Sequence, residues 1–167
     1  MNLFDKIFNQ NNKKISKNTI IIAPISGKII DIKLVPDDVF SKKIIGDGIA
    51  IQPSGKKIVA PVAGTIGKIF KTNHAFSIIT KNDIEIFVHF GIDTILLKGQ
   101  GFTRIAKENQ TVQPGDIILK YDLQFLKKNS KSVLTPVIIS NMNTIKTIKK
   151  YSGKVISGKT PIMEIQK

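Results

Sequence analysis

The sequence predicts an all-β protein: an antiparallel β-sandwich with an internal pseudo-repeat and one or two short helices. Three observations carry that expectation. From Thr19 onward, short Ile- and Val-rich runs are cut by Gly, Pro, Asn and Asp about every 6–12 residues, the rhythm of strands joined by turns. From Thr19 onward only two stretches have a helical pattern, and both are short. A seven-residue string at 23–29 (APISGKI) returns at 60–66 (APVAGTI) with five positions alike, which puts a Pro-led turn and a permissive Gly ahead of a strand in each half. With 167 residues, the chain is long enough for one well-buried core.

In chain order, residues 1–18 read as a flexible N-terminal segment. Leu3, Phe4, Ile7 and Phe8 fall on one side of a short amphipathic helix over 1–8, and the Asn- and Lys-rich stretch 9–18 reads as a linker. So short a helix is marginal alone in water and needs a surface, such as a membrane, to order it. The domain proper spans 19–167. Strands are expected at 19–23, 28–34, 48–52, 56–60, 65–70, 75–80, 84–90, 116–121, 136–139 and 161–165. The two expected helices are Phe102–Glu108 and Asp122–Asn129, the second capped by Asp122. A second echo relates Val112-Gln113-Pro114-Gly115-Asp116 to Val155-Ile156-Ser157-Gly158. The stretch 153–160 (GKVISGKT) fits the phosphate-loop pattern literally, but Pro161 follows at once and only six residues come after it. The motif needs a helix at its end to face the phosphates, so this stretch is expected to be a turn between two edge strands.

A net charge of +14 and a pI near 10 would ordinarily suggest nucleic acid or an anionic membrane. The positive charge, however, is nearly all Lys, with Arg104 the sole arginine, and Arg is the usual base-reading residue. The lysines are spread through turns and strands, and heavy use of Ile, Lys and Asn fits drift toward A- and T-rich codons. No specific nucleic-acid partner is expected. The absence of Cys excludes disulfides, thiol nucleophiles and thiolate metal sites. No apolar run approaches the ~18–20 residues that cross a bilayer, and the N-terminus lacks the order of a signal peptide. The expected location is cytoplasmic, with weak contact to the inner membrane face through residues 1–8.

The chain holds two histidines, His74 and His89, on either side of a polar break at Lys81-Asn82-Asp83. The flanking runs 75–80 and 84–90 read as the arms of a hairpin. Alternation puts Ile84, Ile86, Val88 and Phe90 on one face, and Glu85, Phe87 and His89 on the other. If the histidines are directly opposed, their numbers sum to 163, which requires a two- or four-residue loop and brings their Cβ atoms to roughly 4.5–5.5 Å. A three-residue loop would put them on opposite faces. Neither a hydrolytic triad nor a three-ligand zinc site can be assembled around them. A neutral imidazole is itself a nucleophile near pH 7, and the second His, or Thr72 acting through it, can hydrogen-bond an incoming phosphoryl group or fix a tautomer. Phe40, Phe70, Phe76, Phe87 and Phe90 are expected to shield the site, some of them as ordinary core.

The strings 64–76 (GTIGKIFKTNHAF), 87–94 (FVHFGIDT), 46–50 (GDGIA), 97–102 (LKGQGF) and 134–142 (LTPVIISNM) closely resemble the glucose-type IIA component of the bacterial sugar phosphotransferase system, along essentially the whole chain. The resemblance implies a shallow apolar face around the histidines. His89 would accept a phosphoryl group on Nε2 from the phosphohistidine of the carrier HPr and give it to a cysteine on the IIB domain of a glucose-type permease. It implies that His74, held by Thr72, assists onward transfer. Val39, Phe40, Ile44, Ile45, Phe70, Phe87 and Ile95 would form the docking face, with Asp37 and Asp93 meeting basic groups on the carrier. No cofactor is required. In some relatives zinc is bridged between the two histidines and a partner carboxylate, and glycerol kinase, sugar permeases and adenylate cyclase are regulatory partners. Lys42 and Leu96 stand where such relatives commonly carry acids. The rival reading is a basic β-sandwich binding module in which the histidines are incidental.

Overall fold

The structure is a computed structural model describing residues 18–167; the helix and most of the linker expected within 1–18 lie outside the described residues. Among the described residues fourteen strands follow in order: β1 (Thr19–Ile22), β2 (Ser26–Asp31), β3 (Asp47–Ser54), β4 (Lys57–Val59), β5 (Gly64–Ile69), β6 (Ala75–Ile79), β7 (Glu85–His89), β8 (Phe102–Arg104), β9 (Thr111–Val112), β10 (Ile117–Tyr121), β11 (Thr135–Ile139), β12 (Thr147–Lys150), β13 (Lys154–Val155) and β14 (Pro161–Gln166). They form an eight-stranded sheet, β13-β2-β3-β11-β7-β6-β5-β9, and two three-stranded sheets, β1-β14-β12 and β4-β10-β8. The described strand pairs are all antiparallel. Most of the expected strands are present, and the all-β expectation holds.

The two sequence echoes belong to one another. Gly27 pairs with Val155, and Gly64 pairs with Val112 in the same way. Ala23 receives the Gly158 N–H and Ala60 the Gly115 N–H, while the Ala23 and Ala60 amides donate to Thr160 and Asp116. The halves also clasp reciprocally, Ile22 N–H donating to Pro61 O and Val59 N–H to Pro24 O. Both glycines are fixed by close approach: a Cβ would sit 1.9 Å from Gln52 O at Gly27 and 2.4 Å from Ile79 O at Gly64. Each half thus contributes one three-stranded sheet, and their common apolar faces enclose the main core around Ile21, Ile51, Phe76, Ile86, Phe90 and Ile118.

A second, smaller core lies on the outer face of the large sheet, where Ile32, Val35, Phe40, Ala50, Ile92 and Ile138 pack together with Phe87 against them. It accounts for β11 being buried along its whole length. Here the chain departs from the expected strand at 28–34: Asp31 caps a 3-10 turn at Ile32–Leu34. A one-turn helix at Asp38–Ser41 follows, with Asp37 as its cap.

Three other expectations are corrected. Phe102–Glu108 is not helical; Phe102, Thr103 and Arg104 form β8 against Tyr121, Lys120 and Leu119, because ladder pairing with β10 outweighs a weak local preference. Asp122 does cap the helix Leu123–Asn129, accepting from Phe125 N–H. The phosphate-loop look-alike is a turn, but only β13 is an edge strand; β14 is the middle strand of its sheet. The third concerns the hairpin register and bears directly on the histidines.

Candidate functional site

The β6–β7 hairpin pairs Ala75 with His89 and Phe76 with Val88, a sum of 164 instead of 163. Its loop is the three-residue Lys81-Asn82-Asp83, closed by Thr80 N–H donating to Ile84 O, with Asp83 left-handed at φ 56°. His74 and His89 are therefore not directly opposed. The imidazoles meet all the same, with ring centroids 4.7 Å apart in an edge-on arrangement. The reason is local. β6 begins at Ala75, and His74 sits in the preceding turn, where left-handed Asn73 (φ 57°) breaks the alternation that would send its ring inward. Its carbonyl still closes the ladder by accepting Phe90 N–H at 2.7 Å.

Alternation along β7 is as expected: Ile86 and Val88 are buried, and Phe87 and His89 lie half-buried on the outer face. Phe40 packs on His89 at 5.1 Å between centroids, Phe70 on His74 at 5.4 Å, and Phe87 lies 6.0 Å from both Phe70 and His89. Phe76 and Phe90 are core residues. A shallow depression of about 340 Å³ is lined by both histidines and, of the other singled-out residues, by Asp37, Val39, Phe40, Ile45, Phe70, Phe87, Asp93 and Ile95. Ile44 is 65% exposed beside it and does not line it. Phe40, at 5% exposure, is floor and not contact surface. Asp37 is partly occupied as a cap, accepting Val39 N–H at 2.8 Å, a bond worth about 1 kcal/mol. A larger groove of about 640 Å³ near Thr19, Val62 and Ile79 contains no histidine or carboxylate in its lining.

Hydrogen bonds orient both rings. Nδ1 of His89 lies 2.8 Å from Gly91 O. A carbonyl only accepts, so the proton sits on Nδ1 and the lone pair is left on Nε2. Gly91 is left-handed at φ 67°, and a Cβ there would lie 2.7 Å from both Ser132 O and Thr94 Cγ2, so only glycine presents that carbonyl without strain. Nδ1 of His74 lies 2.6 Å from Thr72 Oγ1. Burial leaves His74 3% exposed and pushes its pKa down to about 4, with His89 adding to the effect. Burial also lowers the pKa of His89, opposed by the Gly91 carbonyl and by the charges of Asp37 and Asp93. Both rings are neutral near pH 7.

Sequence reasoning did not find Gly91 or Ile92. Gly91 stands inside the string 87–94, but its role depends on a positive φ, which pattern does not reveal. Ile92 is simply buried under the depression. Among the described residues, no group of three or more His, Cys, Asp or Glu is arranged to hold a metal.

Fold and site together define an antiparallel β-sandwich with a pair of neutral, hydrogen-bond-oriented histidines lining a shallow depression. Residues 19–145 match the family described as phosphoenolpyruvate-dependent sugar phosphotransferase system, EIIA 1, and the chain belongs to that family. It is 55% identical over 167 residues, covering 100% of both chains, to the PTS system glucose-specific EIIA component of Haemophilus influenzae. It is 44% identical over 148 residues to the PTS system N-acetylglucosamine-specific EIICBA component of Escherichia coli, covering 88% of this chain and 23% of that one. The solved structure of glucose permease IIA from Mycoplasma capricolum superimposes with a TM-score of 0.81 at 36% identity, over 88% of this chain and 96% of that one. The protein is a phosphocarrier of the sugar phosphotransferase system, and the binding-module alternative finds no support in these likenesses.

Proposed function

We propose that His89 carries the phosphoryl group, accepting it from the phosphohistidine of HPr and passing it to a cysteine on the IIB domain of a glucose-type permease. The single observation that carries this reading is the Nδ1–H bond of His89 to Gly91 O, which aims a neutral Nε2 lone pair from a ring lining an apolar depression. In the first step the Nε2 lone pair attacks phosphorus, the donor's N–P bond breaks, and its electron pair returns to the donor imidazole. In the second, a cysteine thiolate attacks phosphorus and the N–P electrons return to Nε2. The Nδ1 proton stays in place throughout, so neither step waits on a base at His89. With two similar phosphohistidines in exchange, catalysis rests on in-line positioning and exclusion of water.

His74 assists by donating Nε2–H to a phosphoryl oxygen when its Nδ1 accepts from the Thr72 hydroxyl. Val39, Ile45, Phe70 and Ile95, all partly exposed, would form the apolar rim that docks carrier and acceptor, with Ile44 beside it and Asp37 and Asp93 supplying negative charge. The N-acetylglucosamine relative, whose name places C, B and A components in one chain, supports a permease domain as the acceptor. Zinc fits here only as a shared ion: the two histidines supply two nitrogen donors, and a partner's carboxylate would have to complete the set. No step of phosphotransfer runs through it.

Intact-protein mass at mildly alkaline pH, after incubation with the general carrier enzymes and phosphoenolpyruvate, tests the proposal. A gain of one phosphoryl group, lost on acidification and absent in His89→Gln, supports it. No gain in the unaltered protein refutes it.

A further inference from the structure

We infer that Arg104 is a positioning residue for His74: it clamps the turn that carries Phe70, Thr72 and His74, and so sets the geometry of onward transfer. The inference rests on the phosphotransfer reading above and extends it to a residue outside the depression. Arg104 is the single arginine in a chain with 26 basic residues. It ends β8, in one of the three-stranded sheets, and its guanidinium reaches the loop between β5 and β6. Nε donates to Asn73 Oδ1 at 2.8 Å, and Nη2 donates to Phe70 O at 2.8 Å and, more weakly, to Ile69 O at 3.3 Å. A planar fork can hold these separated acceptors at once, whereas a lysine offers a single nitrogen at the end of a flexible stem.

The clamp acts on a strained segment. Asn73 holds φ 57°, a left-handed conformation uncommon outside glycine. The turn has its own bonds, Asn73 N–H donating to Phe70 O at 2.8 Å and Phe70 N–H to Ala75 O at 3.0 Å. Its stem is fixed from the same side, Glu108 accepting Ile69 N–H at 3.0 Å. Arg104 pins the tip. Thr72 lies between the two residues that the guanidinium holds, Phe70 and Asn73, and its hydroxyl is 2.6 Å from His74 Nδ1. A shift of this backbone moves the Thr72 hydroxyl first and the proton arrangement on His74 with it. His89 meets the His74 ring but has anchors of its own outside the clamped turn, Gly91 O and Phe40. Loss of the clamp therefore falls on the histidine that assists and spares the one that accepts.

The test compares Arg104→Lys, Arg104→Met and Asn73→Gly with the unaltered protein. The glycine variant removes the Oδ1 acceptor while tolerating the positive φ. Two readouts are taken: the imidazole 15N resonances of His74 in unphosphorylated protein, and the separate rates of acceptance from HPr and donation to the IIB domain. Both Arg104 variants should move the His74 resonances and slow donation by about tenfold or more, the scale expected when a reacting group is misplaced, while acceptance stays within about twofold. Asn73→Gly should move the same resonances by less. Unchanged His74 resonances with unaltered donation in both Arg104 variants would overturn the inference. So would acceptance and donation falling together in step with thermal stability. If the unaltered protein takes up no phosphoryl group, the phosphotransfer reading fails, and the His74 resonances alone still decide whether Arg104 sets that ring.

Discussion

Acidification from pH 7.5 to 4.5 should destabilise this protein largely ahead of the main carboxylate titration, and His74 should be the main cause. Its pKa falls from an ordinary 6.5 to about 4 in the folded protein because the ring is buried beside a second imidazole. Above pH 6.5 the ring is neutral in both folded and unfolded chains, so it contributes no pH dependence. Between pH 6.5 and about 4 the unfolded chain binds a proton that the folded chain refuses. The unfolded state then holds more protons, and stability falls as pH falls. At about 1.4 kcal/mol per pH unit, the ceiling over the whole window is about 3 kcal/mol, and the part of it between pH 6.5 and 4.5 is at most about 2–3 kcal/mol. The lowered pKa of His89 acts in the same direction. Asp47, Glu108 and Glu164 have lowered pKa values, so their contributions are present above the ordinary carboxylate range and are lost as pH falls from that range through their folded values.

Urea unfolding at pH 7.5, 6.5, 5.5 and 4.5, run in parallel on the unaltered protein and His74→Gln, isolates the effect. The glutamine has no proton to bind, and every other titration is common to both chains. The unaltered protein should lose about 1 M more in its urea midpoint than the variant across this range, given a slope near 2 kcal/mol per molar. Parallel loss in the two proteins would refute the reasoning, because it would mean that His74 titrates alike whether folded or unfolded.

Three further outcomes are expected. His89→Gln should abolish phosphorylation, whereas His74→Gln should still accept from HPr within about tenfold but fail to pass the group on; quench-flow of each half-reaction checks this, and equal loss in both steps would refute the division of labour. Gly91→Ala should cost about 2–3 kcal/mol through left-handed strain and the contact with Ser132 O, seen as a fall of about 5–10 °C in the thermal midpoint, together with a moved His89 Nδ1 resonance. Asp37→Asn should keep the cap, since Asn and Asp serve that position about equally, leaving stability within about 0.5 kcal/mol. By removing a charge that favours protonated His89, the same change should lower that ring's pKa further by NMR titration.

The fold was legible where chemistry repeats along the chain. Alternation in 84–90 assigned the faces of β7 correctly, and the two Ala-Pro strings marked both halves of the pseudo-symmetric body. The second echo was also visible, although its pairing with the first was not, since Gly27 against Val155 and Gly64 against Val112 are contacts over more than 40 residues. The register failed by one residue because loop length cannot be read from Lys81-Asn82-Asp83 alone; Asp83 in a left-handed conformation makes three residues suffice. The expected helix at 102–108 failed because Arg104 and its neighbours are held by β10, distant in sequence. Arg104 was conspicuous by its composition, but nothing along the chain could say that it reaches Asn73.

What was least legible is what shapes the site. Lys43, Asn73, Asp93 and Lys98 all have positive φ without being glycine. Asn73 precedes His74, and Asp93 stands immediately before the 3-10 turn Thr94–Leu97 beside the depression, without a side-chain capping bond. Each is a local cost that regular strand pairing would avoid, and such costs persist where surrounding contacts over-determine them. The contacts are visible: Arg104 on Asn73, and Thr94 Oγ1 donating to Phe90 O. Sheet pairing alone would have sent His74 into the core, opposite Phe90. The strained turn brings it out to meet His89 instead, and it is this departure from the ladder, not the ladder itself, that makes two histidines into one site.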